Sequence, residues 1–238
     1  MKFNQNLLVQ ACIDNLTLEG AKLSDSYYYA SLPLCVIDAV FSIGVRYSSV
    51  LSTVKRFVDY YRLPHYRAKE DRVNDLPEYT INDFLKDYQQ VDMVSNVFQN
   101  MQRTSTKSGI LKAEACKLVA QVLKFNGINT LNDMRQAILD PIRLESIFVQ
   151  LKTIPGQKSG ISSSYLCMLA GDDNFIKPDR HILNFIRSQL NLLDNPTAEE
   201  AQILLIQVAK ILKSKYPNLT PRLLDHSIWK WQRDNARK

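Results

Sequence analysis

The sequence predicts an all-α protein, and three observations carry that prediction. Apolar residues recur at helical spacing along most of the chain. Glycine is scarce, 7 of 238 residues. No alternating run bounded by turn residues reads as a strand. About ten helices can be placed on this basis, and a chain of this length is long enough for a substantial core divided into two lobes.

The elements follow in order. Pro33 suits a first helical turn, and Leu34, Val36, Ile37, Val40 and Phe41 make one amphipathic stripe behind it. Val50, Val54, Phe57, Val58 and Tyr61 make the next. Leu63–Pro77 is charged and aperiodic, which predicts an exposed connection. Thr80-Ile-Asn-Asp83 and Thr130-Leu-Asn-Asp133 resemble capping boxes with Asp in place of Glu, and Thr197-Ala-Glu-Glu200 is the full form. Gly127 closes a long helix over Ile110–Asn126. Asp140-Pro141 and Thr220-Pro221 each place a cap residue before a proline at the first helical position. A further apolar run ends at Ile154-Pro155-Gly156. A polar hairpin follows, and a second helix runs from near Ile161 to Gly171. Lys177-Pro178-Asp179 opens a third helix. Trp229 is expected to anchor the last one.

The composition, 45% hydrophobic and 23% charged, belongs to a folded chain rather than a disordered one. A net charge of +6 fits a polyanionic partner without demanding one. Cys12, Cys35, Cys116 and Cys167 are widely spaced, so no zinc or cluster pattern exists; three of them, Cys35, Cys116 and Cys167, sit in apolar helical runs as core residues. A reducing, cytoplasmic location is expected, nucleoid-associated in a prokaryote, with no membrane span and no signal segment.

Helix, Pro-Gly hairpin, helix and then a Pro-Asp helix start is the most informative arrangement in the chain. With Leu34–Ser42, Val45-Arg46-Tyr47 and Lys107–Ala115 in the same order before it, Ser31 to Arg187 resembles the helix-hairpin-helix, Gly-Pro-Asp superfamily of DNA glycosylases, the endonuclease III-like proteins. The resemblance implies two helical lobes with a cleft between them: one over 31–170, the other combining 1–30 with 171–238. It also implies a hairpin that holds a DNA phosphate, often with a monovalent cation. The hairpin here is longer than the family's Pro-Gly-hydrophobic-Gly. Gly160-Ile161-Ser162 stands where bifunctional members carry a lysine. Gly44 replaces the inserted glutamine of some members, and the family's C-terminal iron–sulfur ligands are absent. No lysine-dependent lyase activity and no iron–sulfur cluster are therefore expected.

Each candidate site has a plainer alternative. Backbone amides around Gly156, Gln157, Lys158, Ser159 and Gly160, with the following helix N-terminus, suit a concave phosphate site; the alternative is an ordinary helical connection. Asp179 suits the stabilisation of positive charge on a sugar as an N-glycosidic bond breaks; the alternative is a carboxylate placed at a helix start for its dipole alone. Lys177 and Arg180 flank it and suit phosphate contacts. Arg46 or Tyr47 suits filling the gap left by a flipped base; the alternative is a surface loop with Tyr47 half-buried. Arg103 and Lys107, in a polar loop ahead of a helix, suit phosphate as well. Lys55, Arg56, Arg62, Arg67, Lys69 and Arg72 interleave with tyrosines, although charge runs are usually solvated faces. Three functions follow, in this order: a monofunctional DNA N-glycosylase acting as a monomer on damaged or mismatched duplex DNA; a module that binds distorted or abasic DNA with the chemistry lost; and, last, a helical scaffold with no nucleic-acid role.

Overall fold

The computed structural model describes residues 3–68 and 77–235. They hold eleven α-helices: α1 (Gln5–Asn15), α2 (Leu32–Phe41), α3 (Tyr47–Tyr61), α4 (Ile81–Gln90), α5 (Lys112–Phe125), α6 (Leu131–Ile138), α7 (Pro141–Lys152), α8 (Ile161–Leu169), α9 (Arg180–Gln189), α10 (Ala198–Leu212) and α11 (Pro221–Asn235). A 3₁₀ turn at Asp25–Tyr27 and a π turn at Met93–Phe98 complete them. The described residues contain no β-strand, only two isolated bridges, Tyr29 with Tyr66 and Arg103 with Leu111. The class is all-α. No helix among the described residues is long and apolar enough to cross a membrane.

Helix ends are set by side chains, as their spacing requires. Thr80 with Asp83, Thr130 with Asp133 and Thr197 with Glu200 form complete capping boxes; an aspartate reaches back to the cap amide as well as a glutamate does. Asp140 accepts from the amides of Ile142 and Arg143. Thr220 accepts from the Leu223 amide. Gly127, at φ +70, ends α5 with Ile128 N–H returning to the Leu123 carbonyl.

The chain divides into two compact units. Ser24–Asp172 packs α3, α4, α5 and α8 around α2. The amphipathic stripe expected for α2 gives way to a helix buried on every side, Asp38 included. An apolar helix surrounded by neighbours keeps no wet face, so its single carboxylate must be bonded internally. In the other unit, Met1–Leu23 with Asp173–Lys238, α1, α9, α10 and α11 close over a core that includes Phe185, Leu205, Leu224 and Ile228. Trp231, not Trp229, joins that core, meeting Phe185 edge-on at 5.4 Å; Trp229 lies under the Arg233 guanidinium.

The connection after α3 is less exposed than expected. Ala30 N–H donates to the His65 carbonyl and Arg67 N–H to the Tyr28 carbonyl, which draws Arg67 inside. Lys69 and Arg72 lie outside the described residues. All four cysteines are buried thiols.

Candidate nucleic-acid interface and carboxylate site

The hairpin between α7 and α8 is built on two left-handed glycines, Gly156 at φ +91 and Gly160 at φ +74. Gln157 N–H donates to the Ile154 carbonyl at 2.9 Å and Gly160 N–H to the Gln157 carbonyl at 3.0 Å. Lys158 and Ser159 form the exposed tip, and the Ser159 hydroxyl accepts from the Ile161 amide. The Gln157 amide, one of those expected to meet a phosphate, is thus spent on the turn itself, and the Gln157 side chain is buried. Its carboxamide oxygen accepts from the Ser162 hydroxyl, and its Nε2 has no hydrogen-bond partner. The side chain is thus held inward by Ser162 rather than presented to solvent.

A second loop docks against the first. Thr104 N–H donates to the Ile110 carbonyl and Lys112 N–H to the Gln102 carbonyl, which closes residues 102–112 into a compact turn. Thr104 lies directly against Gly156: a Cβ added there would sit 2.4 Å from the threonine Cβ. Only glycine permits this approach. The structure thereby brings Arg103 and Lys107 onto a loop that touches the hairpin of Lys158. Lys107 is exposed, whereas the Arg103 Nε is engaged by the Gly109 carbonyl at 2.9 Å.

Lys112 anchors this region from below. It is wholly buried and donates to the carbonyls of Phe41 (2.9 Å) and Ile43 (2.7 Å) and to the Gln102 side chain (3.3 Å). Burial pulls its ammonium down to about 8. The loop after α2 is thus tied to the turn at 102–112. In that loop Arg46 is exposed and sits at the start of α3. Tyr47 is placed differently from the expectation of an inserting side chain. Its phenol is hydrogen-bonded with Tyr29, whose own hydroxyl donates to Asp38 at 2.7 Å. Burial first, then the Asp38 charge, pushes the Tyr47 phenol well above its ordinary value. A ring held in that network is not available to fill a gap in DNA.

The basic stretch along α3 does not make a single face. Lys55 pairs with Asp59 at 2.5 Å, and the Arg56 guanidinium is bonded to the Phe98 carbonyl and the Thr53 hydroxyl. Arg62 is the left-handed residue that ends the helix.

Asp179, in the other unit, is the N-cap of α9; its Oδ1 accepts from the His181 amide at 2.8 Å. Asp179 N–H donates to the Lys177 carbonyl, and Lys177 N–H donates to Asp225 Oδ2, both at 2.7 Å. Lys177 and Asp179 are half-buried and Arg180 is exposed. Asp225 is a functional candidate that sequence reasoning missed. Burial and then the nearby Asp179 charge raise its carboxyl to about 7, against the opposing influence of the Lys177 amide bond and the charges of Lys177 and Arg222. Arg222 also holds the approach to the segment, with its amide on the Asp173 carbonyl at 3.0 Å and its guanidinium 3.4 Å from the Asp173 carboxylate. The raised Asp225 carboxyl therefore stands within electrostatic reach of Asp179, to which it is tied through Lys177. That arrangement suits general acid–base and charge-stabilising chemistry.

No curated protein and no solved structure matches this chain. One family model does, a domain of unknown function (DUF8548), over residues 6–233; this covers nearly the whole chain, which belongs to that family.

Proposed function

We propose that this protein is a DNA N-glycosylase of the monofunctional kind, which flips a damaged or mismatched base out of duplex DNA and releases it by hydrolysis. The observation that carries the reading is the succession α7, glycine-built hairpin, α8 and then Asp179 capping α9. The hairpin tip at Lys158 and Ser159, with the adjoining Lys107 and Arg103, supplies a phosphate-binding edge; Arg46, Lys177 and Arg180 are further candidates for DNA contact. Asp179 stabilises the positive charge that grows on the sugar and orients water. Asp225 acts behind it as a positioning residue through Lys177. Gly160-Ile161-Ser162 at the start of α8 leaves no lysine for a Schiff base, so strand cleavage is not part of the reaction. A monovalent cation at the hairpin is compatible with this reading, and no other cofactor is called for.

A second reading, binding of distorted or abasic DNA without chemistry, is favoured by one observation: Asp179 Oδ1 is engaged in capping its own helix. The two separate on a panel of duplexes carrying alkylated, oxidised, deaminated and mismatched bases. The glycosylase reading expects alkali-labile sites on at least one of them. Salt-sensitive binding with no base release from any duplex supports the binding module instead.

A further inference from the structure

Within the Ser24–Asp172 unit, at the end of α8 away from the hairpin, lies a small open cavity of about 40 Å³. Tyr28 and Tyr29 form part of its wall, Leu131 and Leu169 give it an apolar side, and Arg67 and Arg135 supply cationic groups. At roughly 10–15 Å³ for each water-sized group, this volume holds about three of them, the size of a small ion rather than of a drug-sized ligand.

The Arg67 side chain is only 6% exposed. A buried guanidinium ordinarily spends its five N–H groups on carboxylate or carbonyl oxygens. Here its Nη1 has no hydrogen-bond partner, and its ion pair is a long one, Nη2 to Glu78 Oε2 at 3.6 Å. Glu78 is itself drawn elsewhere: its Oε1 accepts from the amides of Leu131 (2.9 Å) and Leu32 (3.2 Å). Arg67 is thus a desolvated cation with unspent donors, fixed in place by its backbone bond to Tyr28 and lining an open cavity. The Tyr29 hydroxyl is committed to Asp38, which leaves its ring as the cavity wall. Arg135 is set at the same cavity by its Nε bond to the Ala170 carbonyl.

We propose that this cavity is a binding site for a small oxyanion, a carboxylate or a phosphate, received by the Arg67 guanidinium with Arg135 beside it. A planar guanidinium is suited to either group, because two parallel N–H groups match two oxygens. The inference is independent of the DNA reading: it concerns different residues and a different ligand.

Titration calorimetry of the full chain with inorganic phosphate, and separately with acetate, tests it at ionic strength held constant with sodium chloride. Saturable binding of at least one of the two is expected, weakened at least tenfold in Arg67→Lys and in Arg135→Gln. Arg135 is half-buried, so Arg135→Gln remains informative where the buried Arg67→Lys fails to fold. Thermal unfolding follows in parallel; wild type gains about 3 °C at a ligand concentration ten times the dissociation constant. Binding of phosphate alone assigns a phosphoryl ligand, and binding of acetate alone a carboxylate. Heats no larger than those of added chloride, or equal affinity in wild type and every folded variant, overturn the proposal.

Discussion

Asp225 accepts the backbone amide of Lys177 at 2.7 Å, and through that bond α11 fixes the turn that carries Asp179. The carboxyl that makes this bond is buried and titrates near 7, far above its ordinary value of 3.8. Between about pH 4 and 7 the folded chain therefore holds a proton that the unfolded chain releases. Stability contributed by Asp225 is full below that window and is lost as pH rises through it. Urea unfolding at a series of pH values should show a fall of up to about 1.4 kcal/mol per pH unit from this group. Asp225→Asn keeps an oxygen for the Lys177 amide and should flatten the slope.

Gly156 is required by both its φ of +91 and the threonine against it. Gly156→Ala should cost about 1–3 kcal/mol from crowding and a comparable amount from backbone strain. Combining it with Thr104→Gly should recover the crowding part only. Chemical unfolding of the two variants checks this, and full recovery in the double variant would mean that strain at 156 is negligible.

Lys112 is the buried group whose loss should be felt most at the 102–112 turn. Lys112→Met leaves the Phe41 and Ile43 carbonyls buried without their donor, at a cost of about 3 kcal/mol. Faster hydrogen exchange should be confined to residues 42–46 and 102–112 under conditions where the rest of the unit stays protected.

Duplex binding should weaken as salt rises, with a logarithmic slope of about −0.9 for each phosphate neutralised. Lys107→Ala and Lys158→Ala should each reduce the slope by about that amount, and together by about twice it. Gln157→Ala should act on stability rather than on the salt slope, because the side chain is buried under the hairpin.

Helix boundaries were the most legible part of this sequence, because caps are local chemistry. The threonine–acid pairs at 80/83, 130/133 and 197/200, Asp140-Pro141 and Gly127 lie where their spacing alone puts them. What the sequence concealed are tertiary contacts made by polar residues. Asp225 meets Lys177 across 48 residues, Gln157 turns under its own hairpin, and Tyr47 is taken up by Tyr29 and Asp38. One signal was present all the same. Asp38 lies with Leu34, Ile37 and Phe41 at helical spacing, Lys112 with Ala115, Cys116 and Val119, and Asp225 with Pro221, Leu224 and Ile228. A charged residue on an apolar stripe has no water to turn to, so it must find an internal partner. All three are buried, and each is engaged by a specific neighbour. Arg67 carried no such mark, since it lies in an aperiodic stretch and is drawn inside by pairing with Tyr28.

The most direct test of the central claim is single-turnover release of a base from a lesion-bearing duplex, comparing wild type with Asp179→Asn. An asparagine can still cap α9, so a folded variant isolates the chemistry from the helix start. The account predicts release by wild type and a loss of roughly 10²–10⁴-fold in the variant, with DNA affinity kept. Equal release by both proteins, or none by wild type on any duplex it binds, would contradict it.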